Sequence, residues 1–278
     1  MASSVDAVGF VGLGSIGLPM AQRLVASGRP TFVWARRPET LDPLRDGAAN
    51  LVDEVTELGH HCAVIGLCVL DGASVDDIVH TRGLLAAMRP GAILAIHATI
   101  DPAQVRRLAG EAAARGVHVA DAPISGGPAL AADGRLVVMV GAEPTVHDRC
   151  APVFQAFARL VARVGPPGTG QLAKLVNNAL FTANLRLADD ALVIGHALGL
   201  ERAGLLEILQ ASSGGSFAID SALSRVDMET FGASPAGALL RKDVGIVHDV
   251  IAAAHVDGRD LLRVADAALE RLGVPLTT

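Results

Sequence analysis

The stretch Val8-Gly-Phe-Val-Gly12-Leu-Gly14-Ser-Ile-Gly17 stands near the start of the chain and leads into Leu18-Pro-Met-Ala-Gln-Arg-Leu-Val-Ala-Ser-Gly28. Its apolar first half predicts a β-strand, and the segment after Gly17 predicts a helix that ends at Gly28. Between them lie three glycines, spaced G-x-G-x-x-G. Gly12 permits a tight turn, Gly14 lets a ligand approach the backbone, and Gly17 permits close packing of helix on strand. The pattern predicts the first unit of a doubly wound α/β fold.

The same turn predicts a dinucleotide site, because a helix N-terminus offers unpaired N–H groups and the positive end of its dipole to a pyrophosphate. The residues expected to contact the dinucleotide are Gly12, Leu13, Gly14, Ser15, Ile16 and Gly17. An ordinary glycine-rich turn is the alternative, and the position at the first strand–helix junction disfavours it.

The second predicted strand, Pro30–Ala35, ends at Arg36 and Arg37. Sites that prefer NAD usually have Asp or Glu near this point, where it binds the ribose hydroxyls. A guanidinium can instead pair with a 2′-phosphate. Arg36 therefore predicts NADP as the preferred cofactor, with NAD possible; two exposed arginines at a strand end are the alternative.

Strands and helices then alternate up to about residue 165. The predicted strands are Cys62–Leu70, Ala92–Ala98, Val117–Ala120, Leu136–Gly141 and Leu160–Val164, and the predicted helices are Ser74–Met88 and Pro102–Arg115. Continuous apolar strands indicate a parallel sheet covered on both faces, and ligands of such sheets bind outside the carboxyl strand ends. Val69 and Thr99 are therefore expected at the cofactor.

The segment Asp121–Gly134 is rich in small residues and is predicted to be a loop. Within it, Ser125, Gly126 and Gly127 can present consecutive backbone N–H groups and a hydroxyl. This arrangement suits a carboxylate group of a substrate.

A break at Gly165-Pro-Pro-Gly168 separates this region from a second half without strand signals. There the predicted helices are Gln171–Leu198, with Gly199 as its C-cap, and Arg202–Ser212, Leu239–Ala254 and Asp260–Leu272. We predict a Rossmann-type dinucleotide-binding domain over residues 1–165 and an all-helical domain over 166–278, joined by the long helix.

Lysine is rare in this chain: two of its 23 basic side chains are Lys174 and Lys242, and the others are arginine. Arginine stays protonated, whereas a desolvated lysine can lose its proton. Lys174 and Asn178 are spaced i and i+4 and so share one helix face, with Asn177 beside them. A lysine and an amide in this arrangement suit proton transfer at an alcohol or carbonyl. The alternative is a surface lysine with two exposed amides.

The composition argues against several functional classes. The net charge of -6 and the absence of a basic block disfavour nucleic-acid binding. Three scattered cysteines form neither a disulfide framework nor a metal site, and no metal is expected. The N-terminal Met1–Asp6 lacks a basic n-region, and no uncharged apolar run is long enough for a membrane span, so we expect a cytoplasmic protein.

Four blocks together resemble the β-hydroxyacid dehydrogenase family, which includes 3-hydroxyisobutyrate dehydrogenase, tartronate semialdehyde reductase and glyoxylate/succinic semialdehyde reductase. The blocks are Gly9–Met20, Asp121–Gly127, Gly168–Asn178 and Lys242-Asp243. The resemblance covers nearly the whole chain. It implies a Rossmann-type domain followed by a helical domain as in 6-phosphogluconate dehydrogenase. It also implies hydride transfer between a nicotinamide and a small β-hydroxy acid or semialdehyde.

The resemblance implies a role for each matching residue. Lys174 would be the catalytic acid/base and Asn178 its orienting partner. Ser125, Gly126 and Gly127 would bind the substrate carboxylate, with Asn177 as a further substrate contact. Thr99 would lie at the cofactor, Lys242 would reach the cofactor or substrate, and an arginine in the position of Arg36 would accompany NADP use.

Departures from the family pattern leave the substrate open. Ala98 replaces the usual serine before Thr99, Ala35 replaces the usual asparagine before Arg36, and Phe217–Leu240 matches poorly. An imine reductase on the same fold is one alternative, disfavoured by Lys174 and by the carboxylate-binding segment. A non-catalytic cofactor-binding module is another. A long central helix in an all-α domain usually buries an apolar face against a partner, so a homodimer or homotetramer is expected.

Overall fold

A mixed sheet organises the first of two units into which the chain divides, Met1–Lys174 and Leu175–Thr278. The structure, a computed structural model, describes residues 6–276, so the N-terminal residues used to argue against a signal peptide lie largely outside it. Within that range the strands are β1 Val8–Val11, β2 Thr31–Trp34, β3 Asn50–Leu51, β4 Val64–Leu67, β5 Ile93–Ile96, β6 His118–Asp121, β7 Ile124–Ser125, β8 Leu136–Gly141 and β9 Ala158–Gly165. Their order across the sheet is β3-β2-β1-β4-β5-β6-β8-β7, and β9 pairs with β8.

Strands β1 to β6 are parallel, as predicted, but β8 runs antiparallel to both β6 and β7. The expectation of a wholly parallel sheet is therefore wrong at this edge. The chain returns from β7 to β8 through a single short helix, and a parallel pair would need a longer crossover.

Helices cover both faces of the sheet. They are α1 Gly17–Ala26, α2 Val55–His61, α3 Gly72–Asp76, α4 Leu84–Ala87, α5 Pro102–Ala113, α6 Gly127–Ala132 and α7 Pro144–Phe154, with a 3-10 segment at Pro38–Leu44 and a π-helical turn at Asp77–Thr81. One apolar cluster contains Phe10, Leu24 and Phe154, and a second contains Ile65 and Leu108. Because both faces are buried, the strands read as continuous apolar runs.

The second unit is helical. Helix α8, Thr169–Ala197, begins in the first unit and continues into the second, followed by α9 Arg202–Ala211, a π-helical turn at Ile219–Leu223, α10 Met228–Gly232, α11 Pro235–Ala254 and α12 Arg259–Arg271. Gly199, predicted as the C-cap of the long helix, has a φ of 84°. The core of this unit includes Leu185, Leu223 and Leu269. The predicted fold class, an α/β dinucleotide-binding domain followed by an all-α domain with a long connecting helix, is confirmed.

Two local predictions are wrong. The segment 121–134 is not a loop, because β7 pairs with β8 and Pro128 stands at the start of α6, whose Ala-Leu-Ala-Ala run favours a helix. The predicted helix Ser74–Met88 is broken, because Gly83 adopts a left-handed conformation (φ 75°) and α4 begins after it. Among the described residues 6–276, no helix has the length and apolar character needed to cross a membrane.

Candidate functional site

The carboxyl ends of five parallel strands form one continuous edge. Trp34, Val11, Leu67, Ile96 and Asp121 pair in register from strand to strand, so these ends lie side by side. Four strand spacings make this edge about 19 Å long. Apart from Lys174, which lies on α8, the predicted site residues of the first unit follow these ends: Arg36 after β2, Gly12–Gly17 after β1, Val69 after β4, Thr99 after β5 and Ser125–Gly127 after β6. An edge of this length fits an elongated ligand.

The three glycines of the turn after β1 have two different roles. Gly12 and Gly17 permit close packing of the backbone, and Gly14 leaves space for a ligand. A Cβ on Gly12, whose φ is 98°, would collide with the carbonyl oxygen of Cys68, and a Cβ on Gly17 would collide with that of Gly12. A Cβ on Gly14 would meet no atom within 4 Å. Helix α1 starts after Ile16 with no side-chain cap and no acidic residue in its first turn. The turn therefore fits a bound phosphate at this helix N-terminus.

Strand β2 ends at Trp34, whose indole ring is held by contacts on two sides, and two arginines follow it. The indole N–H of Trp34 donates to the carbonyl oxygen of Asp53 at 3.1 Å, and the guanidinium of Arg82 lies 5.2 Å from the ring centroid. Beyond it, Arg36 and Arg37 are exposed, and within residues 6–276 neither forms a salt bridge. Both guanidinium groups are thus available to an anion.

The segment predicted to bind a carboxylate joins β7 to α6. Gly126 and Gly127 have φ values of 136° and 77°, and a Cβ on Gly127 would meet no atom within 4 Å. In the part of the chain that the structure describes, neither glycine donates its N–H, and the hydroxyl of Ser125 has no hydrogen-bond partner. These donors are the kind that an anionic group requires.

Asp121, at the end of β6, holds the start of α8. The side chain is fully buried; its Oδ1 accepts from the N–H of Gly168 and its Oδ2 from the N–H of Gln171, both at 2.7 Å. Burial raises the pKa of Asp121 to about 6, while hydrogen bonds from the Gly168 and Gln171 N–H groups act to lower it. At neutral pH the carboxylate is ionised and caps the helix N-terminus.

A second attachment of α8 comes from the buried side chain of Gln171. Its Nε2 donates to the carbonyl oxygen of Ala98 at 2.9 Å, and its Oε1 accepts from the N–H of Ile100 at 3.0 Å. The side-chain amide of Gln171 is thus hydrogen-bonded to the residues immediately before and after Thr99. Lys174 is half-buried and lies three residues further along the same helix. The sequence analysis assigned no role to Asp121 or Gln171. Two features indicate one: Asp121 is a polar residue at the end of an apolar strand, and Gln171 lies nearly one helical turn before Lys174.

In the second unit, a polar network joins three predicted residues. The Nδ2 of Asn177 donates to Oδ1 of Asn178 at 3.1 Å, and the Nδ2 of Asn178 donates to Oδ2 of the buried Asp243 at 2.6 Å. The ammonium of Lys242 lies 3.0 Å from Oδ1 of Asp243 and forms an ion pair with it. Asp243 connects residues that are distant in sequence, and it too was missed as a site residue.

Two known families match consecutive parts of the chain. Residues 7–165 match the NAD binding domain of 6-phosphogluconate dehydrogenase. Residues 168–272 match the family described as NAD-binding of NADP-dependent 3-hydroxyisobutyrate dehydrogenase. The chain belongs to the β-hydroxyacid dehydrogenase family. It is accordingly an NAD(P)-dependent hydroxyacid oxidoreductase.

Individual proteins also resemble the chain over most of its length. An uncharacterised oxidoreductase of Mycobacterium tuberculosis is 33% identical over 97% of this chain and 92% of its own. The NAD-dependent L-serine dehydrogenase of Pseudomonas aeruginosa is 34% identical over 77% of this chain and 72% of its own. A solved structure of M. tuberculosis 3-hydroxyisobutyrate dehydrogenase with L-serine superposes with a TM-score of 0.82 at 26% identity, covering 96% of this chain and 93% of that one.

Proposed function

We propose that the chain oxidises small 3-hydroxy carboxylic acids, or reduces the corresponding semialdehydes, with a preference for NADP and with Lys174 as general acid/base. The observation that carries this proposal is that two buried side chains attach the start of α8 to the sheet, and that one of them, Gln171, forms hydrogen bonds on both sides of Thr99. The carboxylate of Asp121 and the amide of Gln171 bind the first turn of α8 to the strand edge. This attachment supports an acid/base held rigidly beside a dinucleotide-binding edge.

The proposed chemistry uses the chain's own groups for binding and proton transfer. When bound, the dinucleotide supplies the hydride acceptor or donor. During oxidation the Lys174 amine takes the hydroxyl proton while the carbon loses its hydride; during reduction the ammonium returns a proton to the carbonyl oxygen. In the second unit, Asp243 fixes the amide of Asn178, and such an oriented amide suits a role as partner of the lysine.

The proposed substrate class rests on the donors of Ser125–Gly127. A carboxylate held there would leave a hydroxyl carbon free to face the acid/base. The named relatives act, by their names, on L-serine and on 3-hydroxyisobutyrate. Both compounds carry a carboxylate and a hydroxyl on C3, which is the pattern that the segment supports.

The proposed NADP preference rests on Arg36. It is exposed after β2, without a salt-bridge partner among residues 6–276, and a guanidinium there can pair bidentately with a 2′-phosphate. One relative is named NAD-dependent and one matching family is named NADP-dependent, so the cofactor is an explicit variable of the experiment.

The test is a parallel screen of L-serine, 3-hydroxyisobutyrate, other short 3-hydroxy acids, their semialdehydes and a cyclic imine, each with NADP(H) and NAD(H). We expect turnover of a carboxylate-bearing substrate with the higher kcat/KM for NADP(H). Lys174→Ala should lower kcat by roughly 10²–10⁴-fold. Lys174→Arg, which keeps the charge but cannot lose a proton, should be comparably inactive.

Cofactor binding to both variants, followed by fluorescence titration, serves as the folding control. A Lys174→Ala protein with wild-type kcat would contradict the acid/base role. Turnover of the imine alone would contradict the substrate class.

A further inference from the structure

A polar recess of about 260 Å³ opens at the amino ends of the strands, at the edge of the sheet opposite to the proposed cofactor edge. Its lining comes from the segments just before β1, β4 and β5 and from α7, and it includes Asp6, Ala63, Arg89, Gly91, Ala92 and Arg149. Strands β4 and β5 have four residues each, so about 13 Å of strand separate the recess from their carboxyl ends. A ligand in this recess would therefore not occupy the dinucleotide site.

Arg89 reaches the recess from a tight turn that leads into β5. In Arg89-Pro90-Gly91-Ala92 the N–H of Ala92 donates to the carbonyl oxygen of Arg89 at 3.0 Å, and Gly91 has a φ of 84°. Proline and glycine at the two central positions are typical of a type II turn. The Nη2 of Arg89 also donates to the carbonyl oxygen of His61 at 3.1 Å. Both the backbone and the side chain of Arg89 are thus held in place.

Arg149 brings a second cation to the same recess from α7. Its Nη2 donates to the carbonyl oxygen of Gly91 at 2.8 Å, so the turn that carries Arg89 also holds Arg149. A guanidinium has five N–H groups, and within residues 6–276 each of these arginines uses its Nη2 in one bond to a backbone carbonyl. Most donors of both side chains therefore remain available to a ligand.

The two guanidinium groups lack a carboxylate partner in the described part of the chain, residues 6–276. Neither forms a salt bridge there, although Asp6 also lines the recess. Two cations that share a recess repel each other, and an anion between them would offset that repulsion. The N–H groups of arginine match the oxygens of a carboxylate or a phosphate. With two positive charges and the one negative charge of Asp6, the recess favours a small anion of low charge.

We propose that this recess binds a small oxyanion, a phosphate or a carboxylate group, between Arg89 and Arg149. A recess of about 260 Å³ is smaller than the pockets typical of drug-sized ligands, and it admits a group of this size. The bound anion would connect α7 to the turn before β5 and so stabilise the first unit. The proposal depends neither on the catalytic role of Lys174 nor on the cofactor preference.

Isothermal titration calorimetry tests the site with inorganic phosphate and, in a separate titration, with acetate, both at constant ionic strength. A saturating dinucleotide is present throughout, so that phosphate cannot occupy the glycine-rich turn after β1. We expect saturable binding that depends on Arg89 and Arg149, and the tighter of the two anions shows whether the site prefers a phosphate or a carboxylate. Saturable binding of neither anion would overturn the proposal.

Substitutions assign the binding to the recess. Arg89→Gln and Arg149→Gln should each raise the dissociation constant by about 10-fold or more, because each removes a charged hydrogen-bond donor. Arg159→Gln is the matched control and should leave it unchanged. Arg159 is exposed on β9, does not line the recess and, within residues 6–276, forms no salt bridge.

Asp6→Asn tests the sign of the charge that the recess accepts. Asp6 is exposed, so the change should leave the protein folded, and loss of its carboxylate should tighten anion binding by about two- to fivefold. Circular dichroism checks the folding of every variant, and Asp6→Asn decides if the arginine variants do not fold. Weaker binding in Asp6→Asn, or unchanged binding in both folded arginine variants, would refute the site.

Discussion

At the scale of single residues, buried polar side chains hold the first unit together near the proposed site. Asp121 and Gln171 each satisfy two backbone groups from distant segments. His97, just beyond β5, is also buried; its Nδ1 lies 2.8 Å from the carbonyl oxygen of Ala122, and its ring packs 5.1 Å from that of Phe154. The neutral imidazole fits this apolar site and the charged form does not.

His97 makes the stability depend on pH. Burial lowers its pKa from 6.5 to about 4, so the unfolded chain binds a proton at a higher pH than the folded one. The folded state therefore loses stability as the pH falls from 6.5 towards 4. Between about pH 7.5 and pH 4.5, the free energy of unfolding of the wild type should fall by roughly 2–3 kcal/mol more than that of His97→Asn, as measured by urea denaturation.

Comparing the wild type with His97→Asn cancels the contributions that other titrating groups make to the pH dependence of stability. Asp121 has a raised pKa and favours the folded state at low pH, which is the opposite direction, but it is present in both proteins. Equal pH dependence in wild type and His97→Asn would contradict the assignment to His97.

At the scale of secondary-structure elements, two glycines let α8 begin in direct contact with the end of β8. A Cβ on Gly141 would collide with Oδ1 of Asp121. A Cβ on Gly170 would lie 2.5 Å from the carbonyl oxygen of Met139 and 2.8 Å from that of Asp121. The first turn of α8 therefore packs so closely on the end of β8 that no side chain fits at Gly141 or Gly170.

Gly170→Ala should displace this first turn and with it Lys174. A displacement of about 1 Å at a reacting group can cost on the order of 100-fold in rate, and we expect a loss of that size in kcat. The matched control is Gly110→Ala in α5, where a Cβ would meet no atom within 4 Å. That change should leave kcat unaltered and stabilise the protein by about 0.4–1 kcal/mol. Steady-state kinetics and thermal melts would decide, and a fully active, equally stable Gly170→Ala protein would contradict the packing argument.

At the scale of the whole molecule, the proposed cofactor contacts of the first unit come from several segments between Gly12 and Thr99. Arg36 follows β2 and Thr99 follows β5, and these strand ends are about 14 Å apart by strand spacing. A ligand that contacts such dispersed segments only when they are folded stabilises the folded state by mass action.

NADP at about 100 times its dissociation constant should therefore raise the free energy of unfolding by about 2.7 kcal/mol. Arg36→Ala should lose most of the thermal shift with NADP at the same concentration and keep that with NAD. Arg45→Ala removes an exposed arginine that binds Asp42 at 2.7 Å and should change neither shift. Differential scanning fluorimetry with both cofactors measures all three proteins. Unchanged shifts in Arg36→Ala would refute the 2′-phosphate contact.

Much of the fold followed from patterns that span only a few residues. The G-x-G-x-x-G turn, the continuous apolar strands and the helix from about Gln171 to Leu198 are local features, and the structure and the family matches confirm the fold class and family that they indicated. The segment 121–134 was misread because small residues suit loops and short helices alike. The roles assigned to Lys174 and Asn178 remain predictions that the kinetic experiments address.

Local sequence was sufficient for the turn conformations, the helix around Lys174 and the strand-end positions of the site, because backbone sterics and periodicity act between near neighbours. Only the tertiary structure shows which residues, distant in the sequence, support these local features. Asp121 binds a backbone group 47 residues away, Gln171 reaches segments 71 and 73 residues away, and Asn178 meets Asp243 across 65 residues. Such pairs form because burial obliges polar groups to find partners wherever the chain packs, and no spacing along the sequence encodes that choice.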